Sequence, residues 1–401
     1  MGKSANDVVI TGVGIVTSQG VGTEVHAALL TADQPPVVRV ETERFAPYPV
    51  HPLPEIDWSQ QIPKRGDQRQ MENWQRLGVF AAGLALDDAG FKDDLEACSS
   101  MDMIVAAGGG ERDITVDSLI VDEGLKRNDR ERLLNEKLTT ELRPTLFLAQ
   151  LSNLMAGNIS IVHTVTGSSR TFMGEEGAGI SAVETAFARI KAGQSSHTLV
   201  GGAFVAERKD VLLLIEAIQG HARGEWQPLW ARKAEDGGGM ILGSVGAFLV
   251  LESRAHAEAR SAHIYAAIDT IEGDRGSREA GRLEARLERL LEPAKELAGE
   301  GTVVFCGTTG FQDLAAREQA VLRTAVPGAA LRAYGGLTGH ALETQFPLGL
   351  ALAALTLDGG AKVPPFDAGH ERAMTARATA AVVTTVGHVR GEGVALLSAN
   401  A

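Results

Sequence analysis

Short apolar runs that end in glycine alternate along this chain with longer segments whose apolar residues recur at helical spacing. That alternation confines it to a mixed α/β architecture. Val8-Val-Ile-Thr-Gly-Val-Gly-Ile-Val16 is rich in β-branched residues and reads as a buried strand entering a loop. Met103-Ile-Val-Ala-Ala-Gly108 reads the same way, and His197–Val200 runs into Gly201-Gly202. Further strands are predicted at 246–252, 264–271, 302–305, 379–385 and 393–398. Helices are predicted at 76–89, closed by Gly90, at 183–191, ended by Gly193, and at 254–260, 279–297, 313–324 and 341–357. The element order is similar in residues 1–255 and 256–401, so the chain is read as one compact unit of two pseudo-equivalent halves.

Composition narrows the class. The 401 residues are 44% hydrophobic and 22% charged, which suits a globular chain with one large or two fused domains. Aromatics make up only 5%, so the core must be built from Ala, Val, Leu and Ile. No apolar run approaches the ~18 residues of a membrane span, and Met-Gly-Lys-Ser-Ala-Asn-Asp at the start has no signal-peptide core. Cys98 and Cys306 give neither a disulfide framework nor a zinc pattern. His163, His197 and His221 share no ligand spacing, and no metal or cofactor is expected. The expectation is a cytoplasmic protein. A net charge of −13 excludes a nucleic-acid binder, which needs a basic face. The charged stretch from Glu111 to Leu142 reads as a solvated helical excursion. Glu279–Glu300 reads as an exposed helix face laced with i,i+4 ion pairs.

The stretch Thr164-Val-Thr-Gly-Ser-Ser-Arg-Thr-Phe-Met-Gly-Glu-Glu-Gly-Ala-Gly179 reads as a strand, a sharp glycine-flanked turn and the start of a helix. Such a turn holds its central side chain up in a strained, exposed position, here Glu176. Several other segments then resemble β-ketoacyl-acyl-carrier-protein synthases in the right order. They are Val8–Thr17, Asn153-Leu-Met-Ala-Gly157, Gly193–Gly202, Asp236-Gly-Gly-Gly-Met-Ile-Leu-Gly-Ser-Val-Gly246 followed by Leu251-Glu252, and Thr338-Gly-His340. Each glycine pattern alone is weak, but together with the turn they are collinear over nearly the whole chain. The resemblance implies the thiolase-like α/β fold, five alternating layers (αβαβα) built from two related halves and normally dimeric.

The family's chemistry needs a nucleophilic cysteine at this turn, two histidines, a lysine and an oxyanion hole. Here Glu176 stands in the cysteine's place and cannot form the acyl thioester. The first histidine motif reads Phe305-Cys306-Gly307-Thr308-Thr309, with Cys306, or Phe305 after a one-residue shift, where the histidine belongs. His340 matches the second histidine. Gly335 replaces the lysine, and His388 in Val386-Gly-His-Val-Arg390 replaces the gating phenylalanine. Glu176 is then either a base or charge mimic, or a residue that fills the turn at a helix N-terminus. His340 is a thioester donor or a retained structural donor. Cys306 is a neutral thiol or a relocated nucleophile. Leu146 and Phe147 fall in the segment that reaches the partner's acyl tunnel, and limit chain length or form ordinary interface core.

The resemblance is nearest to chain-length factors, non-condensing subunits that pair with an active ketosynthase and shape its acyl tunnel. The partner would hold the catalytic set and most of the docking of acyl carrier protein, itself acidic. Very-long-chain fatty acids, polyenes and aromatic polyketides are the candidate products. The alternatives are a malonyl carrier protein decarboxylase and a divergent β-ketoacyl synthase.

Overall fold

Strand order repeats between the two parts of the chain in this computed structural model, which describes residues 4–142, 150–223 and 225–400. In the first part the order is Ser169–Met173, Asp102–Ala107, His197–Phe204, Val245–Ser253, Val8–Thr17. In the second it is Ala330–Arg332, Thr302–Thr308, Ala380–Val386, Glu392–Ala399, Ala266–Asp274. Counted in chain order within each part, both read 3-2-4-5-1. The directions repeat as well. The second, third and fourth strands run parallel, and the fifth is antiparallel to its neighbours. Three antiparallel pairs, Val8↔Ile268, Val9↔Ala267 and Ile10↔Ala266, join the two groups at their edges.

Two helices fill the space between the groups, and one of them has almost no polar face to offer water. Every residue from Gln345 to Leu357 in the helix Gln345–Gly359 is buried, as expected for a helix apolar all round. The helix Glu176–Lys191 packs on strands of both groups and on Gln345–Gly359. Asn73–Asp88 and Leu154–His163 cover one outer face, and Arg282–Leu290 with Leu314–Ala325 cover the other. The layers therefore alternate helix, sheet, helix, sheet, helix, the α/β fold that the resemblance implied.

Three departures from expectation have local causes. The helix predicted over 279–297 stops at Leu290 and resumes as a 3-10 turn from Pro293, which has no N–H to continue the ladder. Its ion pairs reach neighbouring elements instead of running i,i+4: Arg286 to Glu392, Arg289 to Asp274 and Glu284 to Arg317. The helix predicted from Ala341 begins only at Gln345, because Leu342 adopts φ 41°. The excursion at 111–142 is two helices, Ile114–Gly124 and Arg130–Thr140, mostly exposed. No helix of the described residues is long and apolar enough to cross a membrane.

Candidate functional site

The turn at Gly174-Glu175 delivers Glu176 as the first residue of the central helix. Its side chain is not held up to solvent as the sequence implied; it is fully buried. The reason is the loop 387–391, which folds over the turn so closely that a Cβ on Gly391 would lie 3.1 Å from the Gly177 nitrogen. Glu176 Oε1 accepts three hydrogen bonds. They come from His340 Nε2 at 2.7 Å, His388 Nδ1 at 2.9 Å and the His388 backbone N–H at 3.1 Å. Oε2 has no partner among the described residues.

Burial alone would raise the Glu176 pKa. The charge of His388 and the bonds from both histidines outweigh it and hold the carboxyl well below its usual range. Burial alone would lower the His388 pKa, but the charge and hydrogen bond of Glu176 raise it. A buried carboxylate therefore stands at this turn, held by the His388 ring and backbone and by His340.

Each partner is positioned by backbone geometry. His340 follows Gly339 at φ 79°, and its N–H and C=O are tied to Ile241 and Gly243. His388 is held through its loop by Arg278, which donates to the carbonyls of Gly387 at 2.6 Å and Val389 at 2.9 Å while pairing with buried Glu392. Glu175, Glu176 and His388 also bring three ligand-type atoms within 4.8 Å of one another.

Cys306 is not brought to this centre. It lies fully buried in the main apolar core, donates weakly to the Val304 carbonyl at 3.6 Å, and its thiol is pushed well above its ordinary range by burial. Neither it nor the buried Phe305 is hydrogen-bonded to Glu176 or His340. Gly335 opens the short helix Gly335–Thr338. Leu146 and Phe147 lie outside the described residues. His163, His197 and His221 each bond a backbone carbonyl, of Val79, Ala97 and Leu212.

Sequence reasoning missed Glu343 and Glu318. Glu343 is buried three residues after His340 and accepts the Gly108 N–H at 2.8 Å; burial pushes its pKa up to about 8. Glu318 is bonded by Thr384 and pushed by burial up to about 7. Both interrupt apolar patterns, Glu343 before Phe346–Leu357 and Glu318 in the stripe Leu314, Val321, Leu322. Such interruption was the available signal. Glu343 lines a cavity of about 530 Å³ that reaches Gly174 and Glu175.

Residues 5–257 match the family model described as "Beta-ketoacyl synthase, N-terminal domain". The chain belongs to the β-ketoacyl synthase family. It is 25% identical over 270 residues to 3-oxoacyl-[acyl-carrier-protein] synthase 2 of Vibrio cholerae, covering 66% of this chain and 62% of that one. The chain thus aligns with somewhat under two thirds of the length of that relative. It is 29% identical over 376 residues to the tetracenomycin polyketide synthase ketoacyl synthase beta subunit of Streptomyces glaucescens, covering 87% and 85%. Among solved structures, the ishigamide ketosynthase/chain length factor superposes with a TM-score of 0.78 at 20% identity, over 98% of this chain and 99% of that one. In sequence the chain is thus similar both to a 3-oxoacyl-[acyl-carrier-protein] synthase and to a polyketide synthase beta subunit, and in fold to a ketosynthase/chain length factor.

Proposed function

We propose that this chain is a ketosynthase-like subunit without the nucleophilic cysteine. It pairs with an active β-ketoacyl-acyl-carrier-protein synthase and shapes the acyl tunnel during fatty acid or polyketide elongation. One observation carries the reading: the turn that would present a nucleophile presents a buried carboxylate held by three donors. A carboxylate there forms no acyl thioester, and a His340 committed to it is not free to polarise a thioester carbonyl. Similarity to the Streptomyces glaucescens beta subunit supports the same reading.

Ser169–Met173 ends the sheet, and Met173 is 76% exposed on it. An uncovered edge strand with an exposed apolar residue suits pairing with another chain. In this reading the cavity beside Gly174 receives part of the acyl chain, and Leu146 and Phe147 limit its length. The partner supplies the Cys–His–His set and most carrier-protein docking, which accords with the −13 charge of this chain. The pair works in the cytoplasm. The repeated strand order supports treating 1–255 and 256–401 as the two halves.

Native mass spectrometry after co-expression with the neighbouring ketosynthase tests the reading. A one-to-one complex whose condensing activity survives Glu176→Gln here is expected. A stable homodimer that ignores the ketosynthase overturns it. A second reading, decarboxylation of malonyl carrier protein, is favoured by one feature: His388 brings a second imidazole to the centre beside His340. CO₂ release that His340→Ala abolishes would establish it, and no release from the unmodified chain would end it.

A further inference from the structure

Among the described residues, Glu343 is the one buried carboxyl in the wall of the cavity beside the Glu176 turn. The rest of that wall is largely apolar, with Trp74, Met173, Phe204, Val211 and Leu214 facing the space. Such a lining suits a hydrocarbon chain, and a buried acid in it is costly unless it has a partner or a task.

Glu343 is placed there by two independent features. Leu342, the residue before it, takes φ 41°, a backbone conformation unfavourable for a side chain of its kind and typical of functional positions. Opposite, Gly108 approaches so closely that a Cβ on it would lie 2.8 Å from Glu343 Oε1. Its N–H donates to that oxygen at 2.8 Å. Gly108 is itself held by Ser152, whose hydroxyl donates to the Gly108 carbonyl at 2.7 Å. One carboxyl oxygen is therefore spent as an acceptor. In the neutral acid the hydroxyl sits on the other oxygen, on a residue that lines the cavity.

We propose that Glu343 is a specificity-determining residue that makes this cavity select acyl chains bearing an in-chain oxygen, a ketone or hydroxyl, over fully reduced alkyl chains. The proposal rests on the cavity being the acyl cavity of the proposed function. The Glu343 O–H donates to the chain oxygen while Gly108 N–H fixes the carboxyl's orientation. An alkyl chain in the same place leaves that donor without an acceptor, which costs affinity. The charged groups that bear on Glu343 are Arg208, which favours its ionisation, and Glu176, which opposes it. Glu175, Arg112 and Asp210 also line the cavity.

Calorimetry with N-(2-acetamidoethyl)decanamide and its 3-, 5- and 7-oxo analogues tests this, using the full chain alone and with its ketosynthase. At pH 7 at least one oxo analogue is expected to bind about 10-fold tighter than the alkyl amide, as one well-placed hydrogen bond allows. Glu343→Gln keeps a donor and retains the preference. Glu343→Leu removes it and tightens the alkyl amide. Raising the pH above 9 weakens the preference in the unmodified chain, as the acid that burial keeps protonated near neutrality ionises. Equal binding of all probes, a preference that survives Glu343→Leu, or no binding of any probe overturns the proposal. Native mass spectrometry on the same samples separates the two ideas. Pairing without an oxo preference sinks this inference alone, and an oxo preference without pairing sinks the subunit reading alone.

Discussion

Glu176 and His388 are joined twice, through the ring Nδ1 of His388 at 2.9 Å and through its backbone N–H at 3.1 Å. The second bond fixes the loop as well as the ring. The residue at the turn and the residue in the covering loop are partners, and both are buried.

Removing one member of such a pair leaves the other uncompensated. Glu176→Ala is expected to cost about 3 kcal/mol or more in chemical denaturation, since it leaves three buried donors from His340 and His388 without their acceptor. Glu176→Gln keeps the shape and one acceptor and should cost clearly less. Equal, small effects from both would show that the pair does not hold the fold.

The pH dependence of stability should carry the sign of each group. The Glu176 pKa is lowered, so its contribution is present above the ordinary carboxylate value of 4.5 and lost as pH falls. The His388 pKa is raised, so its contribution is full below 6.5 and lost as pH rises through the raised value. The stability gap between the unmodified chain and His388→Asn should be widest between those limits and narrow on the alkaline side. A gap that stays constant from pH 5.5 to 9 would contradict the pairing.

Glu318 is fully buried and titrates near 7 against an ordinary 4.5. The folded chain therefore holds a proton there that the unfolded chain has released between those values, and stability falls with rising pH across that window. The group accounts for on the order of 3 kcal/mol over it. Glu318→Gln, which still accepts from Thr384, should flatten that part of the profile measured by urea denaturation.

Arg278 ties the 387–391 loop to Glu392 and to its own carbonyls. Arg278→Ala should release the loop without unfolding the chain. Amide exchange over Gly387–Gly391 is expected to rise at least tenfold, about 1.4 kcal/mol of lost protection, while the strand Ala380–Val386 keeps its rate. Unchanged exchange in the loop would show that Arg278 is not its latch.

Much of the architecture was legible because local pattern and tertiary environment agree. Val8–Val16 is β-branched and buried, and the turn before Glu176 falls where its glycines put it. The site was legible only by position. The letters gave Glu176 and His388 as separate departures from a family pattern, and His340 as a match to it. That they meet depends on one loop closing over another turn, a contact 212 residues apart in sequence that no local periodicity encodes. Glu343 was overlooked because an acid beside an apolar helix looks like its polar start until the backbone at Leu342 is seen.

The bond between Glu176 and His388 also bears on how the chain is made. Glu176 lies in the first half and both of its imidazole partners in the second. While the chain is being synthesised, the first half emerges with a carboxylate whose counter-charge does not yet exist. Until residue 388 is available, the donors that hold that end of the central helix in the folded chain are missing. Closure of the core there is thereby tied to the arrival of the later residues, and this turn is where the early and late parts of the chain are joined.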